Sequence, residues 1–466
     1  MALHRGSSHR WTQAASLVAA LALVATACGD DDDDSAAATT AAGAAETTAA
    51  GGAETTTRAA TDTTAAGGAE TTEGETVETT EGGEETTPAE PTGSPITIGM
   101  ALGETGNSSS TQKFTRAVAE AWAEHVNTEL GGINGHPVNL VIKDTKSDGA
   151  TGAAVVRELV EQDNAVVLVS VDSASESAYG EYTQQQNVPV IGIGYSPATW
   201  VTLPNWFATS TTIPAVVQSQ FVSAKEIGAT KWAAISCIEV ASCAAAQPLY
   251  EPAAAQVGIE LGGSVNASTS APNYTAECLQ LINEGVDYVQ LSIAPTAGEK
   301  IAADCRRQGY EGWFGATAGS VVASNFADPE LRLAGALNGF PWFADAEPVQ
   351  AFRDVMEAAG VEEYQDPTST GTWAALELFR TAMADASDEP TRDDVFQAYY
   401  ALQGEDLDGL LPMGVTFTEG QPSTPVNCFW VYTLEDSEFA DVEPQGESGN
   451  SVTSGPLKTA CAEPLG

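Results

Sequence analysis

The chain has 466 residues, enough for two or three compact units. Its 64 acidic and 18 basic side chains give a formal charge of -46, a surface that repels nucleic acid and anionic lipid and excludes both as partners. Of the four histidines, His4 and His9 lie near the N-terminus, and the remaining pair is too few for a histidine-based metal site, so no metal is expected.

Residues 1–27 read as a lipoprotein signal peptide. Arg5 and Arg10 give a basic start, and Ala14–Ala27 is an apolar run. That run is shorter than the roughly 20 residues a permanent span requires. It ends in Ala25-Thr26-Ala27-Cys28-Gly29, which resembles a bacterial lipobox and implies diacylation of Cys28. Two acyl chains anchor a protein stably where one does not. Residues 28–94 are expected to be a disordered tether of Ala, Thr, Gly and Glu carrying 16 acids and one base, Arg58. They have almost no large apolar side chain to offset chain entropy. A flexible chain of this length spans on the order of 45 Å. The expected location is extracytoplasmic, lipid-anchored on the outer face of the cell membrane.

From residue 95 onward short apolar strands alternate with amphipathic helices. Ile96–Ala101 reads as a strand. The spacing of Phe114, Val118, Ala121, Trp122 and Val126 predicts a helix over Ser110–Leu130, stopped by Gly131-Gly132. Then come strand Val138–Asp144, helix Ala150–Gln162, strand Ala165–Ser170, helix Ser175–Gln186 and strand Val188–Gly192. This order implies a parallel, doubly wound sheet with helices on both faces. A second series runs through strand Trp232–Ser236, helix Ala244–Val257, strand Glu260–Val265, helix Ala276–Glu284, strand Tyr288–Ser292, helix Gly298–Gln308 and strand Trp313–Ala316. Helices at Pro348–Ala359, Thr370–Ala384 and Arg392–Ala401 follow, with strand-like pieces at Gly414–Thr418 and Cys428–Leu434. Helices returning after the second series suggest that the chain crosses back to the first unit.

Seven cysteines are present, and with Cys28 reserved for lipid six remain. An even number in an exported domain suggests three disulfides. Chain proximity favours Cys237–Cys243, Cys278–Cys305 and Cys428–Cys461. The scattered spacing, without a CxxC, argues against zinc.

Gly131-Gly132-Ile133-Asn134-Gly135-His136-Pro137-Val138, followed by Lys143-Asp144 and Ser147-Asp148, resembles the leucine/isoleucine/valine-binding protein family. These are the type I periplasmic binding proteins of branched-chain amino-acid ABC importers. The resemblance covers most of residues 95–435. It implies an α/β fold of two Rossmann-like lobes with parallel sheets joined by three crossovers, and a ligand held between them. The lobes are expected to comprise 95–210 plus 335–420, and 211–334 plus 421–466. The resemblance implies that Ser173 and Ser175 hold a ligand carboxylate, and that Gly194 and Ser196 offer a carbonyl and a hydroxyl. Tyr195 either adds an aromatic wall or packs in the core. Ser108 and Ser109 either line the cleft or cap a helix. In the second lobe the family's aromatic positions fall in Cys237–Cys243 and Ala294-Pro295-Thr296, which have no aromatic ring, and its ammonium-binding acid falls at Thr317. Either Glu239 or Asp172 replaces that acid, or the ligand is not a standard α-amino acid. Trp342 and Phe343 either supply the missing aromatic wall or pack in the core.

The expected function is capture of a small amino-acid-like or related polar solute between two lobes and delivery to ABC permease subunits by a monomeric protein without cofactor. The alternative is a tethered sensor acting through a separate signalling partner. No GxSxG, P-loop or HExxH occurs, and His125 in a helix and His136 in a turn offer no Ser–His pair, so no catalysis is expected.

Overall fold

The computed structural model describes residues 90–193, 197–322, 331–435, 438–441, 450–454 and 457–463; Cys28 and the loop Gly194, Tyr195 and Ser196 lie outside them. Central strands such as Val167–Ser170, Val190–Gly192 and Tyr288–Ser292 are buried along their whole length, as strands covered on both faces of a parallel sheet are. The first lobe opens with β1 (Ile96–Leu102), α1 (Thr115–Thr128), β2 (Val138–Asp144), α2 (Gly149–Glu161) and β3 (Val167–Ser170). It continues with α3 (Glu176–Gln185), β4 (Val190–Gly192), α4 (Pro197–Thr202) and β5 (Trp206–Ala208). The strands lie in the order β2-β1-β3-β4-β5, all parallel.

The second lobe begins with α5 (Ile213–Glu226), β6 (Lys231–Cys237), α6 (Ala241–Ala246), α7 (Tyr250–Val257), β7 (Glu260–Leu261) and β8 (Val265–Ala267). Then come α8 (Thr275–Asn283), β9 (Tyr288–Ser292), α9 (Pro295–Arg307), β10 (Trp313–Ala316) and β11 (Leu333–Leu337). The chain next supplies α10 (Glu347–Ala358), α11 (Pro367–Ala382), α12 (Arg392–Ala401), β12 (Gln403–Glu405) and β13 (Val415–Thr416). Of these, α10 and α11 pack on α1, and α11 also covers β4, so the helices return to the first lobe. Finally β14 (Cys428–Glu435) joins the second sheet antiparallel to β11, carrying β15 (Glu438–Asp441) and β17 (Leu457–Cys461), with β16 (Asn450–Ser454) paired to β17.

The chain thus passes between the sheets three times, and hydroxyls tie the passages together. Ser210 Oγ donates to the Asn338 carbonyl at 2.9 Å and Thr211 Oγ1 to that of Cys428 at 2.8 Å. Ser423 Oγ donates to the Trp206 carbonyl at 2.6 Å and accepts the Ala208 amide at 3.1 Å. These buried bonds satisfy backbone groups that leave both sheets at the crossovers.

Local chemistry explains where elements begin and end. The turn after α1 closes with Ile133 and His136 bridging, and Asn134 and Gly135 take φ of 50° and 82°. Asn-Gly is the pair that tolerates this left-handed geometry. The helix expected from Ser110 starts at Thr115, because Ser108 to Thr111 form a turn in which the Thr111 amide and hydroxyl both donate to the Ser108 carbonyl. The helix expected over Ala244–Val257 is divided at Gln247–Leu249, where Pro248 removes a donor. Gly262-Gly263 divides the strand expected over Glu260–Val265.

Disulfides join Cys237 to Cys243, Cys278 to Cys305 and Cys428 to Cys461. The first closes the loop after β6, the second staples α8 to α9, and the third clamps β17 to β14. In the chain-entropy account, closing a loop of the last one's length stabilises a fold by about 3.7 kcal/mol.

Candidate ligand-binding cleft

In the first lobe, three strand-end loops are wired into one wall. The Asp144 carboxylate, at the end of β2, accepts the Glu104 amide at 3.0 Å, the Thr105 hydroxyl at 2.6 Å and the Lys146 amide at 2.8 Å. Burial pushes this carboxyl up, but the hydrogen bonds prevail and hold it below the usual carboxylate range. Ser147 Oγ donates to the Thr105 carbonyl and accepts the Ser108 amide, both at 2.9 Å. Asp148 caps α2 by accepting the Thr151 amide at 2.8 Å. Asp144 and Ser147 of the family motif are therefore scaffolding that fixes the loop after β1, while Lys143 pairs with Glu158 and Asp163.

Two further side chains lock that loop to β3. Gln112 accepts the Gly103 amide at 2.7 Å and donates to the Val171 carbonyl at 3.1 Å. Asp172 is fully buried and accepts Ser108 Oγ at 2.7 Å, the Ala174 amide at 3.2 Å and the Thr145 hydroxyl. These internal donors occupy it, and it does not face the cavity as an ammonium partner.

Both lobes line one cavity of about 160 Å³. Ser108, Thr111, Gln112 and Ser173 come from the first lobe, with Thr368 from α11; Glu239, Thr269, Thr317 and Ser320 come from the second. Val171, Cys237, Ile293 and Thr317 bring the ends of β3, β6, β9 and β10 to its wall. Ligands of open α/β sheets bind beyond those carboxyl ends.

The expected site residues divide on this geometry. Ser108, Ser173, Glu239 and Thr317 line the cavity. Ser173 is half-buried, and its hydroxyl makes no hydrogen bond with the described residues. Ser175 does not line it: the side chain is buried against Gly152 of α2, and Oγ donates to the Asp172 carbonyl at 3.2 Å. Ser109 closes a turn by donating to the Gly106 carbonyl at 2.8 Å. Trp342 and Phe343 pack with Phe439, Phe343 stacking at 5.3 Å between ring centroids, and no aromatic side chain lines the cavity among the described residues. Gly194, Tyr195 and Ser196 lie outside the described residues.

Glu239 sits in the loop closed by Cys237–Cys243. Its carboxylate accepts Ser268 Oγ at 2.7 Å, the Thr269 amide at 2.8 Å and the Ile238 amide at 3.2 Å. Burial raises its pKa, but these bonds outweigh that and leave it below the usual range. Its charge is largely met by its own lobe.

Among the described residues no Lys, Arg or His lines the cavity, yet three helices begin at its wall. They are α5 at Ile213, α9 after Ala294 and α11 beside Thr368. Each N-terminus carries about half a positive charge; the Asp366 carboxyl caps that of α11, and the N-termini of α5 and α9, without a side-chain cap, make the cavity favour an anionic group without a basic side chain. Val216, Val217, Val240 and Ile293 make the rest of the wall aliphatic.

A cavity at the strand ends of two sheets joined by three crossovers defines a two-lobed solute-binding protein. The chain belongs to the type I periplasmic binding protein family, whose model, described as periplasmic binding protein, matches residues 95–438. It is a solute-binding protein of the ABC-transporter type, in a family of binding proteins rather than enzymes. The fold is similar to that of a fatty acid ABC transporter substrate-binding protein from Thermomonospora curvata. That likeness has 18% identity and a TM-score of 0.64, covering 80% of this chain and 97% of that one. A leucine binding protein from Thermotoga maritima is 15% identical with a TM-score of 0.61, covering 75% and 98%. An ABC-transporter solute binding protein from R. palustris in complex with benzoate is 14% identical with a TM-score of 0.61, covering 79% and 98%. At these identities the likeness concerns the fold alone. Among curated proteins none matches the chain. No helix among the described residues is long and apolar enough to cross a membrane.

Proposed function

We propose that this protein is a lipoprotein, tethered through Cys28 outside the cell membrane, that closes on a small aliphatic carboxylate and delivers it to an ABC permease. The observation that carries the ligand class is the lining. It combines the two uncapped helix N-termini of α5 and α9, the free Ser173 hydroxyl and aliphatic walls, with Thr317 where an ammonium-binding acid is expected. A buried ammonium without a dedicated acid is costly, so an α-amino acid fits this cavity less well than the same acid without its amine. The fatty acid ABC transporter substrate-binding protein and the solute binding protein in complex with benzoate, both similar in fold, support a carboxylate lacking an ammonium. The apolar leader and Ala27-Cys28 junction support the anchor. Hinge closure changes the face a permease reads.

The matched pair 4-methylpentanoate and leucine tests the ligand class, because they differ only in the ammonium. In thermal-shift titrations 4-methylpentanoate is expected to raise Tm more than leucine. Ser173→Ala is expected to weaken that binding about tenfold through one lost hydrogen bond to a charged group, with the ligand-free Tm nearly unchanged. A larger shift with leucine, or an undiminished one in Ser173→Ala, rejects the assignment. Cys28→Ala is expected to release the protein from membranes on fractionation; unchanged retention would remove the lipid anchor.

A further inference from the structure

Beyond the hydroxyls of the first lobe, the cavity continues into the second lobe. Val216 and Val217 of α5 and Ala246 of α6 line this inner part, with the Cys237–Cys243 disulfide. At the same wall stand Gln220 and Ser292. Gln220 is 3% exposed and Ser292 7% exposed, and among the described residues neither Gln220 Oε1 nor Ser292 Oγ has a hydrogen-bond partner. Two residues before Ser292 on β9, hence on the same face of the strand, Gln290 is fully buried, with neither amide atom bonded among the described residues.

Each buried polar group left unpaired costs about 1–3 kcal/mol, so folded proteins seldom keep them without a purpose. Gln220 and Ser292 both line the wall of one cavity, and the partner that satisfies them therefore enters through it. The charged side chain of the lining among the described residues, Glu239, is turned to Ser268 and Thr269 of its own lobe. The group received is uncharged. An unpaired amide oxygen asks for a donor, which a hydroxyl or carboxamide supplies and a methyl does not.

We infer that Gln220 and Ser292 form a polar subsite on the second-lobe wall of the cavity that receives a hydroxyl or amide at the distal end of the ligand's aliphatic body. This deepens, and rests on, the carboxylate reading above. The ligand class becomes a short aliphatic acid with a terminal hydrogen-bonding group. The volume of about 160 Å³ is near that of a cavity accepting a six-carbon ring, which sets the length of the body at about six heavy atoms.

The test compares hexanoate with 6-hydroxyhexanoate by calorimetric titration of the full-length protein in detergent. A purely aliphatic pocket prefers hexanoate, since burying an unmatched hydroxyl is unfavourable. The subsite reverses that order: 6-hydroxyhexanoate is expected to bind about tenfold more tightly, the effect of one or two added hydrogen bonds. Gln220→Leu and Ser292→Ala are each expected to bring the ratio down towards one. Ser292→Ala removes a single oxygen, so it keeps the test valid if the Leu variant folds poorly. Equal binding, preference for hexanoate, or a preference that survives both substitutions overturns the subsite and leaves the carboxylate reading standing. Binding of neither acid overturns both.

Discussion

Asp172→Ala is expected to lower the free energy of unfolding by about 3 kcal/mol and to abolish carboxylate binding. The carboxylate is fully buried at the end of β3 and takes donors from three segments: Ser108, Thr145 and Ala174. Its removal leaves two hydroxyls and an amide without their acceptor and opens a void between the loops after β1, β2 and β3. Because the Ser108 hydroxyl donates to Asp172, the cleft wall loses its alignment with the fold. Urea unfolding and carboxylate titration of the same samples read both effects. A loss under about 1 kcal/mol would mean that the three loops are held by the Asp144 and Gln112 contacts alone.

The second large effect concerns pH. Asp366 caps α11, accepting the Ser369 amide at 2.7 Å and hydroxyl at 2.8 Å, and is 2% exposed. Burial pushes its carboxyl up to about 7, although these hydrogen bonds favour the charged form. An acid with a raised folded pKa keeps its proton in the native state after the unfolded chain has lost it. Its contribution is fully present below the unfolded value near 4 and declines as pH rises through about 7. Between pH 5 and 8 the wild type is expected to lose about 2–3 kcal/mol from this group, and Asp366→Asn to flatten that decline. Thr368, two residues on in the first turn of α11, lines the cavity, so ligand affinity is expected to follow the same trend. An equal pH slope in wild type and Asp366→Asn would show that Asp366 is ionised throughout.

Much of the fold is legible in the sequence because burial there has a clean period. Arg392–Ala401 and Trp313–Ala316 have the bounds the pattern predicts. The expectations leave residues 197–226 without elements, and α5 shows why. Gln218, Ser219, Gln220 and Ser223 are all buried beside its valines, so no polar face marks the helix. Strand β11, Leu-Ala-Gly-Ala-Leu, is built of residues with little strand preference and is fixed by its neighbours.

Within the site, Ser173 and Thr317 are legible because the strand that precedes each is legible. Ser175 follows the same serine-rich loop but faces α2, since helix direction rather than loop composition decides where a side chain points. Gln220 and Ser292 carry no sequence signal: a glutamine in a helix and a serine in a strand acquire meaning only when neither finds a partner. Phe343 resembles a ligand wall in sequence, yet Phe439, more than ninety residues away, claims its face.

The enclosure of one solute between the two lobes is tested most directly by native mass spectrometry of the ligand-free protein after exposure to a mixture of hexanoate, 4-methylpentanoate, benzoate and leucine. One bound carboxylate per chain is expected, displaced when Ser173→Trp fills the cavity from the first lobe. Retention of the same adduct by Ser173→Trp, with an unchanged melting temperature, would place the ligand elsewhere on the protein and contradict the cleft.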